Sequence, residues 1–285
     1  MTTHANGRRH DTTGGTSSTT GGRATVAGGT PGPWTVLGRT VALPVEVRRA
    51  TQWSTHFLVP LDAAQRIVDP TGLQVTGPVP GRALLTLAVC RYDDTDLDAY
   101  NEVAVSFAVR PHGAAPAGTA GRLAELARGD VCAYIHRLPV DGEFTCAAGR
   151  DVWGFPKWVT TVDIDEERRG PSGRAGTAAV RLVDDGVHVL SLSMDPSGPL
   201  RLPDTAPPTY SFRDGVLRRT AWSMRQSAAS GRPGGTHVVL GDHPMADELR
   251  SLGLPRRAVA TTGAGGLWAS FGAAEVVAPP GGPAA

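Results

Sequence analysis

One side chain in the 285-residue sequence stands apart chemically: Lys157 is the only lysine among 28 lysine and arginine residues. A guanidinium stays charged and is a very poor nucleophile, whereas an amine that loses its proton attacks a ketone or aldehyde and forms an imine. Lys157 sits in the run Gly149-Arg150-Asp151-Val152-Trp153-Gly154-Phe155-Pro156-Lys157-Trp158. Its apolar flanks disfavour an ammonium, so the expectation is a lysine whose pKa is lowered by desolvation. The competing reading is an ordinary surface lysine, the commonest kind, left over in an arginine-rich composition.

A second stretch of interest carries a single carboxylate on one face of an alternating strand. Tyr100-Asn101-Glu102-Val103-Ala104-Val105-Ser106-Phe107-Ala108-Val109 alternates as a strand does. Val103, Val105, Phe107 and Val109 share one face. Tyr100, Glu102, Ala104, Ser106 and Ala108 share the other, a small and polar face that either lines a cavity or meets solvent.

The elements that must position these residues are mostly strands. Residues 41–47 and 53–59 are rich in β-branched and aromatic side chains, and 82–92 is a nearly continuous apolar run ending in an acidic turn at 93–96. Further strands are expected at 131–138, 158–164, 178–183 and 187–192, the last two joined through Asp184-Asp185-Gly186. Residues 196–235 read as loop with one or two strands around 210–227, and a final pair of strands as 259–262 and 267–277. Short helices are expected at 61–68, 119–128 and 242–253, the last capped by Asp242 or His243 and ended by Gly253. Many strands, few helices and no strand-helix-strand rhythm indicate an α+β domain, mostly antiparallel and barrel-like, over residues 33–278. The Gly/Thr/Ser-rich residues 1–32 and the Pro/Gly-rich residues 279–285 are expected to be disordered tails.

Composition narrows the chemistry. A formal charge of +1 without a basic run gives no reason to expect nucleic acid or an anionic membrane as partner, and no apolar stretch approaches the roughly 20 residues of a membrane span. Cys90, Cys132 and Cys146 form no Cys-x-x-Cys pair, and the eight histidines show no metal-ligand spacing. Reduced thiols in a cytoplasmic protein, no metal and a small-molecule substrate are the expectations. Neither a dinucleotide fingerprint, nor a P-loop, nor a Gly-x-Ser-x-Gly elbow occurs.

Gly149-Arg150-Asp151-Val152-Trp153-Gly154-Phe155-Pro156-Lys157 resembles the Gly-Arg-Glu-x-x-x-(Tyr/Phe)-Pro-Lys signature of the acetoacetate decarboxylase superfamily, and Tyr100-Asn101-Glu102 resembles its Tyr-x-Glu segment. Residues 57–68 and the closing stretch 265–277 are similar in order and spacing, so the likeness covers roughly residues 40–278. The resemblance implies an acetoacetate decarboxylase-like β-barrel or cone, no cofactor, a homo-oligomer, and a lysine that forms a Schiff base, its lowered pKa being a property carried over from the family. It further implies Lys157 and Glu102 as catalytic residues. Tyr100 is a candidate helper, Trp153 and Phe155 are the apolar wall, and Arg48 or Arg49 is the candidate for binding a substrate carboxylate. Two departures are visible. Trp158 stands where the decarboxylase has a second lysine, and a second active-site glutamate would fall at Leu87.

The function expected is a Schiff-base lyase acting on a keto acid or related carbonyl compound, decarboxylase-like. A Schiff-base aldolase or dehydratase is one alternative. A non-covalent cyclase or small-molecule binding protein is the other.

Overall fold

The computed structural model describes residues 33–277 apart from 116–117, 129, 168–172 and 201–205. The tails expected at 1–32 and 279–285 lie outside the described residues. A hairpin of β1 (Trp34–Val36) and β2 (Arg39–Val41) precedes the long β3 (Val45–Pro60), and α1 (Leu61–Val68) follows directly from Pro60. Then come β4 (Arg82–Thr95), β5 (Tyr100–Val109), α2 (Thr119–Arg128) and β6 (Cys132–Val140). Helix α3 (Glu143–Trp153) leads into β7 (Lys157–Val159) and β8 (Thr161–Glu167). The remainder is β9 (Thr177–Asp184), β10 (Val187–Met194), β11 (Thr209–Arg213), β12 (Val216–Pro233), β13 (Thr236–Leu240), α4 (Pro244–Ser251) and β14 (Ala260–Val276).

Strands β11-β12-β14-β3-β4-β5-β6 pair in that order, and β11 returns to pair with β6, closing a seven-stranded barrel. The pairings are antiparallel except on one edge of β6. There β11 lies parallel along Ala133 to Ile135, and β7 lies parallel along Leu138 to Val140. A second sheet, β13-β10-β9-β8, packs on the outside. The main core lies between the two layers: Trp53 and Phe57 of β3, Leu85 and Leu87 of β4, and Val105 and Phe107 of β5 meet Val180, Leu182, Leu190 and Leu192. Phe57 is fully buried there. Phe57→Ala removes an aromatic ring from this outer core, and a cost of about 3–5 kcal/mol is expected in urea or guanidinium unfolding.

Even-numbered residues of β5, of β4 as far as Tyr92 and of β3 beyond Arg49 turn inward and give the barrel a lumen. Their register is direct: Cys90 faces Glu102, Ala88 faces Ala104 and Thr86 faces Ser106. In β3 the inward parity changes once. Val45 and Val47 point in before a register shift at Arg48 and Arg49, and Gln52 points in after it. Such a bulge leaves two consecutive residues on the same side, and both arginines point outward.

Several expectations need correction. Residues 45–60 form one continuous strand rather than two, and β4 runs through the supposed acidic turn as far as Thr95. Likewise 260–276 is one strand, whose register slips between Ala264 and Leu267, where Gly266 adopts φ +60°. The stretch read as one strand over 158–164 divides at Thr160, sending β7 to the barrel and β8 to the outer sheet. Strand β12 extends to Pro233 through a segment expected to be loop. At the β9–β10 hairpin both Asp185 and Gly186 take positive φ, as a two-residue primed turn requires. His243, not Asp242, caps α4, its Nδ1 accepting the Met245 N–H.

Candidate active site

The largest difference from the sequence reading is also what builds the site. Residues 143–153, given no element on sequence grounds, form α3, so the first five residues of the lysine motif are its last turns. Gly154 ends the helix at φ +65°, and its N–H returns to the Arg150 carbonyl. Phe155 N–H bonds the Gly149 carbonyl, and the chain then enters β7 with Lys157 pointing into the lumen and Trp158 pointing out. Trp158 donates its indole N–H to Asp184 and packs on the outer core, so the neighbouring position faces away from the lysine.

Gly149 has a specific task. A Cβ built there would lie 2.6 Å from Lys157 Cδ and 2.8 Å from Cε, so the lysine stem runs directly across the bare helix backbone. Gly149→Ala should leave the fold intact, since alanine is the better helix former by up to about 1 kcal/mol. It must move the amine, and misplacement by an ångström costs roughly 10²-fold in rate. A net loss of stability no larger than about 1–3 kcal/mol from overpacking, together with a turnover loss of that size, is the expected pair of results.

The Lys157 ammonium, with 4% of its side chain exposed, lies 3.0 Å from Glu102 Oε2 and donates to Thr145 Oγ1 at 3.0 Å. It stands 4.8 Å from the centroid of the Tyr100 ring, which stacks on Tyr92 at 4.4 Å. Tyr92 makes a long hydrogen bond of 3.4 Å to Glu102 Oε1. Burial acts against the ammonium, but the Glu102 carboxylate and the Tyr100 hydroxyl outweigh it, so Lys157 is held above its ordinary value of 10.5. This reverses the sequence expectation of a lowered pKa. The apolar flanks do desolvate the amine, but the sequence did not reveal that a buried carboxylate stands against it. Burial pushes Tyr100 up to about 12, so its hydroxyl keeps its proton.

These groups close one end of a cavity of about 150 Å³. Trp153 and Phe155 form part of its wall as expected, Trp153 being held by an N–H bond to the Gly272 carbonyl. Glu102, Tyr100, Trp153, Phe155 and Lys157 are therefore brought together. Arg48 and Arg49 are not. Arg48 is exposed and bonded to Asp94 and Asp96, while Arg49, also exposed, stands 3.8 Å from Asp93. The β3 bulge turns both away, and no arginine lines the cavity among the described residues. Leu87 lies in the outer core rather than the lumen, and Arg150 is exposed.

Sequence reasoning missed Thr145, Tyr92, Cys90, Trp222 and Phe271. Thr145 was hidden because α3 was unassigned, although Phe144, Ala148 and Val152 repeat at helical spacing before Gly154. Tyr92 and Cys90 belong to the alternation Thr86, Ala88, Cys90, Tyr92 within a run that looked uniformly apolar. Trp222 and Phe271 stack at 5.1 Å in the opposite wall, on strands distant in sequence.

Comparison with known proteins bears on this arrangement. No curated protein sequence matches the chain significantly. Among solved structures, an acetoacetate decarboxylase from Legionella pneumophila superposes with a TM-score of 0.63 at 17% identity, over 84% of this chain and 88% of that one. An acetoacetate decarboxylase-like enzyme from Sphingomonas wittichii RW1 gives 0.61 at 15% identity, over 88% and 100%. The enduracididine biosynthesis enzyme MppR, complexed with the condensation product of pyruvate and imidazole 4-carboxaldehyde, gives 0.62 at 16% identity, over 87% and 98%. At such identities these likenesses concern the fold. The acetoacetate decarboxylase family model, however, matches residues 34–269 and so takes in most of the barrel, with α3 and β7. The chain belongs to the acetoacetate decarboxylase family.

Proposed function

We propose that this protein is a Schiff-base-forming lyase acting on a keto acid or related carbonyl compound, with Lys157 as nucleophile and Glu102 as proton shuttle. The observation that carries the reading is the buried amine–carboxylate pair at 3.0 Å, at the closed end of an apolar cavity. A carbonyl compound entering this cavity displaces water, and a drier site favours the uncharged form of the pair. The Nζ proton passes to Oε2, and the amine adds to the carbonyl carbon. Glu102 returns the proton to the carbinolamine hydroxyl, which departs as water and leaves an iminium. The electron pair of the bond β to the iminium nitrogen then flows into it. In a β-keto acid that bond holds the carboxylate, so carbon dioxide leaves; Glu102, now a carboxylate, takes a fresh proton from solvent and delivers it to the enamine carbon. Water hydrolyses the imine and frees the amine. Thr145 holds the amine in place throughout, and Tyr100 covers it.

A second reading has a specific observation in its favour. No arginine lines the cavity among the described residues, so a substrate carboxylate would find no guanidinium there. The same iminium serves aldol-type cleavage or dehydration when the departing group is a carbonyl fragment or hydroxide, and the fold relative MppR is described with a pyruvate–aldehyde condensation product. Incubation with acetoacetate and longer β-keto acids in heavy-oxygen water separates the readings. Oxygen exchange into the ketone with carbon dioxide release supports decarboxylation. Exchange without carbon dioxide supports the aldolase or dehydratase, and turnover without exchange overturns imine chemistry in favour of a non-covalent reaction.

A further inference from the structure

We infer that the lumen beyond Lys157 is a second binding chamber, and that the substrate is an elongate carbonyl compound bearing an uncharged hydrogen-bonding group on its far portion. The inference rests on Lys157 as the end that receives the carbonyl.

The barrel interior holds two cavities in series. The one at Lys157 measures about 150 Å³, and the next about 340 Å³. Gln52, Ala88, Ala104, Ile135, Thr209 and Trp222 line both, forming a waist between them. A cavity of about 150 Å³ suits a body the size of benzene. A small ketone would therefore fill the lysine chamber and leave the larger space unused.

The chemistry of the far chamber selects what extends into it. Ser54, His56, Thr86, Ser106, Gln226 and Thr262 contribute hydroxyl, amide and imidazole groups, and no Asp, Glu, Arg or Lys lines it among the described residues. His56 shares a hydrogen bond with Thr86 Oγ1 at 2.9 Å, and burial lowers its pKa, so the imidazole is neutral at physiological pH. A charged group would be desolvated there without a counter-ion. At the waist, Thr209 is 8% exposed and its hydroxyl has no hydrogen-bond partner. Buried hydroxyls are seldom left unpaired, because the lost hydration is not recovered. The Thr209 hydroxyl is itself shut off from the lumen, so the polar groups a bound molecule meets are those of the far chamber's lining.

The test is calorimetric titration of the full chain with four methyl ketones: butanone, benzylacetone, para-hydroxybenzylacetone and para-carboxybenzylacetone. Benzylacetone is expected to bind at least about tenfold tighter than butanone. The hydroxyl should add about fivefold, and the carboxylate should cancel the gain. Ser106→Leu, which fills the far chamber, should shrink the advantage of the long ketones over butanone. Equal affinity for butanone and benzylacetone would overturn the inference and leave a water-filled chamber. Tightest binding of the carboxylated ketone would overturn it in favour of an anionic substrate. If the expected order holds but borohydride fixes none of the ketones to the protein, the chamber stands and the Schiff-base reading alone falls.

Discussion

Lys157→Arg and Lys157→Met lose turnover by roughly 10⁴-fold or more, the scale seen when an enzyme's nucleophile is deleted. Arginine keeps a cation beside Glu102 and still fails, because a guanidinium cannot become the neutral nucleophile an imine requires. The two variants separate in stability. Arginine retains the charge opposite a carboxylate that is 8% exposed as a residue. Methionine leaves that carboxylate buried without its partner, a change that costs about 3–5 kcal/mol. Adding Glu102→Gln to Lys157→Met should recover most of this loss without restoring activity. Denaturant unfolding beside product formation gives both readouts.

Glu102→Gln carries the second large effect, and its sign follows from the balance of forces on the amine. In the wild type, desolvation of Lys157 is outweighed by the carboxylate, and the folded-state pKa lies above 10.5. The contribution of this group to stability is therefore fully present below about pH 10.5 and is lost as pH rises through the folded-state value. With glutamine at 102 burial becomes the dominant influence, and the amine falls below its unfolded value. The folded state then binds fewer protons than the unfolded one, and the same contribution grows with pH up to about 10.5. Unfolding free energies across the alkaline range should thus slope in opposite directions in the two proteins. Lys157 should also react with amine reagents at lower pH in the variant, while turnover falls about 10²–10⁴-fold for want of a proton shuttle. A variant that kept both its activity and the wild-type pH slope would show that the pair does not act as described.

How much of this was legible beforehand depends on whether the signal was local. The two faces of β5 could be read from alternation alone, because its sides differ in composition, but whether the polar face met a cavity or solvent depended on what the strand packs against. Lys157 could be read from its uniqueness and its flanks. The helix α3 could not be read as easily: Gly142 provides no side-chain cap, and aromatic residues favour strands over helices. The outward turn of Arg48 and Arg49 depends on a bulge, and bulges arise from pairing with a partner strand rather than from the strand's own residues. The raised pKa of Lys157 is the clearest case. Sequence neighbours supplied the desolvation, but the deciding charge comes from Glu102, 55 positions earlier, delivered by closure of the barrel. The predominance of strands and the alternation of β5 were readable, whereas strand boundaries and closure through β11 and β6 had no local signature.

The central claim is that the buried amine of Lys157 becomes covalently bonded to a carbonyl carbon. Incubating the full chain with a methyl ketone and sodium borohydride, then mapping the peptides by mass, tests this directly. The account predicts one added alkyl group, on the peptide containing Lys157, absent from Lys157→Arg and diminished in Gly149→Ala. An unmodified Lys157 peptide from a protein that turns over a carbonyl substrate under the same conditions would contradict it.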